Sequence, residues 1–99
     1  MKLTTEKNGT ELIVYLSGEV NTQTAPELAA LLDKELPGVQ SLILDFAECD
    51  YVSSAGLRIL LATFKRLKAS KGSMNLANVG KGLMDVFHIT GLATVFDLQ

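Results

Sequence analysis

The spacing of apolar positions changes along this chain and divides it into elements. Lys2 to Lys7 suits a short edge strand, and Asn8-Gly9 supplies a hairpin turn. Glu11 to Gly18 alternates, with Leu12, Val14 and Leu16 on one face and Ile13, Tyr15 and Ser17 on the other. Apolar residues on both faces predict a central strand. Thr24-Ala25-Pro26-Glu27 matches a capping box, and the helix behind it carries Leu28, Leu31, Leu32 and Leu36 as far as Pro37-Gly38. The apolar run at 40–46 predicts a parallel strand covered on both faces. From 55 to 70, Leu57, Leu60, Leu61, Phe64 and Leu67 fall on one helical stripe, with Arg58, Lys65, Arg66 and Lys68 opposite and Lys71-Gly72 at the end. Ser73 to Val79 predicts a strand, 80–88 a short helix holding Leu83, Met84 and Phe87 and closed by Gly91, and Thr94-Val95-Phe96 a last short strand. The expected order is ββαβαβαβ, an α/β fold with a small mixed sheet.

Length then limits the chain to one domain, since 99 residues build a single core. Hydrophobic residues at 47% and charged residues at 20% fit a folded chain. A net charge of -2 offers no general attraction to nucleic acid or to anionic membrane, so neither is expected as a partner. Cys49 is the only cysteine, which forbids an internal disulfide and suits a reducing compartment. No apolar run approaches a membrane span, and a soluble, cytoplasmic protein is expected.

Candidate chemistry centres on Asp50-Tyr51-Val52-Ser53-Ser54-Ala55-Gly56-Leu57, two adjacent hydroxyls between a strand and a helix. Such a serine reads in two ways: as a cap that completes the helix, or as an acceptor whose phosphate would be welcome at the positive helix end. Asn21 and Thr22, at the end of the earlier strand, frame a surface patch with Ser54 if the two strands are neighbours. A hydrolase would need a base, and the only histidine, His88, lies in an apolar short helix; the Gly-x-Ser-x-Gly elbow is also missing. Cysteine, histidine and carboxylates show no metal-ligand spacing, so no metal or other cofactor is expected. Cys49 suits a buried, inert thiol, and Gly80-Lys81-Gly82 a strand-to-helix turn rather than a phosphate loop. Arg58, Lys65, Arg66 and Lys68 form a solvated face that can meet an acidic partner.

Leu16-Ser17-Gly18-Glu19-Val20-Asn21, Leu42-Ile43-Leu44-Asp45-Phe46 and Tyr51-Val52-Ser53-Ser54-Ala55-Gly56-Leu57-Arg58-Ile59-Leu60-Leu61 together resemble a STAS domain, more narrowly a bacterial anti-sigma factor antagonist. The resemblance runs from about residue 3 to 98. It implies the STAS fold, with helices packed mainly on one side of the sheet, and a non-enzymatic binding protein that is monomeric when free. It also implies a partner switch. The unmodified antagonist binds an anti-sigma factor that is also a serine kinase, phosphorylation releases it, and a serine phosphatase resets it. Aligning the family's Gly-Leu on Gly56-Leu57 places the phosphorylated serine on Ser54, with Ser53 as the rival acceptor. Asn21, Thr22, Ser53, Ser54, Ala55, Gly56 and Arg58 then form the partner surface. Ser53 and Asn21 stand where the family commonly has Asp, and the family's C-terminal helix has no counterpart in this sequence. An unphosphorylated STAS subunit of a lipid-transport or signalling complex is the alternative.

Overall fold

A computed structural model describes residues 1–98. The chain runs β1 (Lys2–Asn8), β2 (Glu11–Ser17), α1 (Ala25–Glu35), β3 (Ser41–Glu48), α2 (Ser54–Ala69), β4 (Ser73–Ala77), α3 (Lys81–Ile89) and α4 (Leu92–Val95). The strands form one mixed sheet in the order β1-β2-β3-β4. Gly9, at φ 64, turns β1 back along β2, and the antiparallel register sets Leu3 opposite Leu16. β2 and β3 are parallel, as are β3 and β4. Both crossovers step the same way across the sheet, so right-handed connections bring α1 and α2 to the same face.

That face carries the core. Leu12, Val14, Leu16, Leu42, Leu44, Phe46 and Met74 point into it and meet Leu28, Leu32 and Leu36 of the first helical segment and Leu60 and Leu67 of α2. Phe87 closes one end, edge-on to Phe46 at 6.4 Å and to Phe96 at 6.0 Å. Among the described residues, no helix is long and apolar enough to cross a membrane.

The mixed α/β fold, the interior place of β2 and the parallel β3 agree with the sequence pattern. Three expectations are corrected. The run at 40–46 is covered on one face only: Leu42, Leu44 and Phe46 are buried, while Ser41, Ile43 and Asp45 stay half-buried. Thr94-Val95-Phe96 is no strand, because a helical turn follows Gly91 and buries Ala93 and Phe96 at i, i+3. Packing of Phe96 against Phe64 and Phe87 outweighs the strand preference of Thr94-Val95.

The Thr24 capping box is the third. Thr24 is already helical (φ -96, ψ -20), and its hydroxyl donates to the Glu19 carbonyl at 2.6 Å. Asn21 does the capping instead. Its Oδ1 accepts from the amides of Gln23 at 2.9 Å and Thr24 at 3.0 Å, and its carbonyl accepts from Ala25 N at 2.7 Å. Asparagine is as good a capping residue as threonine, and the turn it starts comes one step earlier.

Candidate functional site

The two serines are placed by a short stitch between two loops. After β2 and β3 the chain continues as an isolated parallel bridge, Val20 opposite Val52. Val20 N donates to the Tyr51 carbonyl at 3.0 Å, and Ser53 N donates to the Val20 carbonyl at 2.7 Å. Both valines are buried, so the bridge anchors an otherwise polar corner to the core. Asn21 therefore stands next to Ser53, as expected for neighbouring strands.

Ser53 and Ser54 then part in role. Ser53 is the N-cap of α2, with extended backbone (φ -76, ψ 174), and its Oγ accepts from Gly56 N at 3.3 Å. Its carbonyl accepts from Leu57 N at 2.8 Å. Ser54 is the first helical residue and is exposed, and among the described residues its hydroxyl has no hydrogen-bond partner. First-turn amides have no acceptor within the helix, and Ser53 takes only that of Gly56. No acidic residue lies in the first turn of α2, so the helix-end field is uncompensated there.

Gly56 explains how closely the helix sits. A Cβ there would lie 2.6 Å from a Val52 methyl carbon and 2.7 Å from a Val20 methyl carbon. Ordinary carbon contacts are about 3.5–4.0 Å, so only glycine lets the helix start rest on the bridge. Gly56 is buried, and it shapes the corner from beneath rather than presenting a surface. Ala55 is half-buried beside it, and Arg58 is exposed one turn on from Ser54. At i, i+4, Ser54 and Arg58 share a helix face. Thr22 is exposed in the turn that Asn21 caps, and among the described residues it makes no hydrogen bond to the serines.

The other candidates stand apart. Cys49 is buried, and burial pushes its thiol above the ordinary value, with Asp50 and Glu19 adding to the shift. His88 is exposed in the last turn of α3, and Gly80 caps that helix. Arg66 pairs with Asp33 of α1 at 2.8 Å, and Lys68 lies over the Phe64 ring at 5.4 Å. Among the described residues, no three His, Cys, Asp or Glu side chains gather as a metal site. Sequence reasoning missed the Val20–Val52 bridge. Its signal is one valine in each connecting loop.

This chain is similar to known proteins. A Bordetella bronchiseptica protein provisionally named anti-sigma factor antagonist BtrV is 39% identical, over 97% of this chain and 84% of its own length. An anti-sigma-B factor antagonist of Bacillus subtilis is 30% identical, over 95% of this chain and 86% of its own. The crystal structure of an anti-sigma factor antagonist from Mycobacterium paratuberculosis superposes with a TM-score of 0.84 at 27% identity, covering 96% of this chain and 81% of that one. The family model for the STAS domain matches residues 2–99, and this chain belongs to the STAS domain family.

Proposed function

We propose that this protein is an anti-sigma factor antagonist, a non-enzymatic partner switch controlled by phosphorylation of Ser54. The names of the two relatives support the antagonist role. The observation that carries the choice of residue is the division of labour at the helix start: Ser53 is occupied as the cap, and Ser54 is exposed, its hydroxyl without a hydrogen-bond partner among the described residues. In this reading the unmodified corner, Asn21, Thr22, Ser53, Ser54, Ala55 and Arg58, docks on an anti-sigma factor that is also a serine kinase. Gly56 holds the corner in shape from below.

Phosphate on Ser54 adds about −1.5 to −2 charges at neutral pH. The first-turn amides and the helix field accommodate that charge within the domain, so the fold need not change. At an interface the same charge must be desolvated, and about 3 kcal/mol of penalty weakens binding more than a hundredfold. A serine phosphatase restores the binding form. The test is to incubate the protein with a cognate kinase and ATP and to map the product by mass spectrometry. One phosphate on Ser54, absent from Ser54→Ala, is expected. Full labelling of Ser54→Ala overturns the assignment. A chain that takes no phosphate yet binds its partners would fit the unmodified STAS subunit instead.

A further inference from the structure

Among the described residues, no helix packs on the second face of the sheet. Strand alternation and register place Glu6 of β1, Ile13 and Tyr15 of β2, and Ile43 and Asp45 of β3 together there. Glu6 pairs with Ile13, Ile13 with Ile43, and Tyr15 with Asp45. Parallel strands in α/β proteins are ordinarily covered on both faces. Here Ile13 and Ile43 are only half-buried, and Tyr15 is 37% exposed.

Charge on this face is mostly negative. Glu6 accepts from the Tyr15 hydroxyl at 3.4 Å, Glu11 lies two residues before Ile13, and Asp45 lies across from Tyr15. Lys2 is the one cation that the same alternation places here among the described residues. Asp45 is held in position, its Oδ1 accepting from Ala47 N at 2.9 Å and its Oδ2 from Asn78 Nδ2 at 3.0 Å. Partial burial first, then Glu6 and Asp45, push the Tyr15 phenol above its ordinary value.

We infer that this face docks a basic amphipathic helix of a partner protein, its apolar stripe on Ile13, Tyr15 and Ile43 and its Lys or Arg residues against Glu6, Glu11 and Asp45. A helix is the element that the opposite face of the same sheet already accepts. Two copies meeting face to face would set carboxylates against carboxylates, and an anionic membrane would be repelled. Ser54 opens α2, which packs on the opposite face of the sheet, and docking here needs no phosphate, so it goes beyond the partner switch.

The probe is a synthetic helical peptide of leucine and lysine, roughly 18 residues long with an apolar stripe, and a twin with glutamate for every lysine. Titration into the nitrogen-15-labelled chain should move the amide signals of Ile13, Tyr15, Ile43 and Asp45, and the glutamate twin should move none. Ile13→Thr with Ile43→Thr should weaken binding about tenfold or more, equivalent to ~1.4 kcal/mol. Glu6→Lys with Glu11→Lys should do the same, and this pair decides the matter if the threonine pair folds poorly. Ser54→Asp should bind the peptide unchanged. Shifts confined to the helical face, full binding by the Glu6→Lys, Glu11→Lys variant, or a dimer that forms through Ile13 and Ile43 would each overturn the inference. Loss of peptide binding in Ser54→Asp would overturn its independence from the switch.

Discussion

Gly56→Ala should destabilise this protein although alanine is the better helix former. Replacing glycine inside a helix ordinarily gains up to ~1 kcal/mol. Here the new methyl would stand 2.6 Å and 2.7 Å from side-chain carbons of Val52 and Val20. Both valines are buried and stiff at χ1, so neither can swing aside. Restoring contacts of about 3.5 Å or more requires the start of α2 to lift by roughly an ångström. Overpacking costs ~1–3 kcal/mol, and two contacts this short at once put Gly56→Ala at about 2–3 kcal/mol, which leaves a net loss of about 1–2 kcal/mol after the propensity gain. For a domain of this size the melting temperature should fall by roughly 5–15 °C. Gly82→Ala is the matched control: it lies in α3 with nothing within 4 Å of the new methyl, so it should be neutral or stabilising by up to ~1 kcal/mol. Thermal unfolding of the three proteins, followed by circular dichroism, gives the comparison. A Gly56→Ala protein as stable as the parent would refute the close seating of α2 on the bridge. The same variant should also be a poorer kinase substrate, since Ser53 and Ser54 move with the helix start.

Other outcomes follow from the same geometry. Ser53→Ala should lose about 1 kcal/mol in urea unfolding, the worth of a helix cap, while keeping phosphorylation at Ser54. Ser54→Ala should unfold within ~0.5 kcal/mol of the parent, as an exposed residue does. Arg66→Ala should cost no more than ~0.5 kcal/mol, because its pair with Asp33 is exposed on both sides. Cys49 sets an alkaline limit: burial raises the folded thiol above the ordinary 9.0. The unfolded chain therefore ionises first, so stability is intact below that value and declines as pH rises through it toward the folded one. Cys49→Ala should remove this part of the decline, and iodoacetamide should label the parent only as fast as it unfolds.

Where one period ruled a segment, the sequence was legible. The stripe of Leu57, Leu60, Leu61, Phe64 and Leu67 marked α2 to within a residue, and alternation from Leu12 to Leu16 marked an interior strand. Legibility failed where two signals competed. Asn21 and Thr24 are both good caps, and the hydrogen bond from Thr24 to the Glu19 carbonyl decided against the threonine. Thr94-Val95-Phe96 has strand-like residues, yet Phe96 finds its aromatic neighbours only through a helical turn. Ile43 beside Leu42 and Leu44 suggested cover on both faces, because a run of apolar residues does not say how many sides are covered. At the site, the pair of serines was visible in the chain, but their different tasks were not. Those depend on Ser53 having extended backbone and on Ser54 opening the helix, which the Val20–Val52 bridge enforces.

The measurement closest to the central claim is the affinity of an anti-sigma factor for two forms of this chain, unmodified and carrying one phosphate on Ser54. Calorimetry on both, with the fold of each checked by circular dichroism, should show binding by the unmodified form and at least about a hundredfold weaker binding by the other, equivalent to ~3 kcal/mol, with unchanged secondary structure. Equal affinity of the two forms would contradict the account.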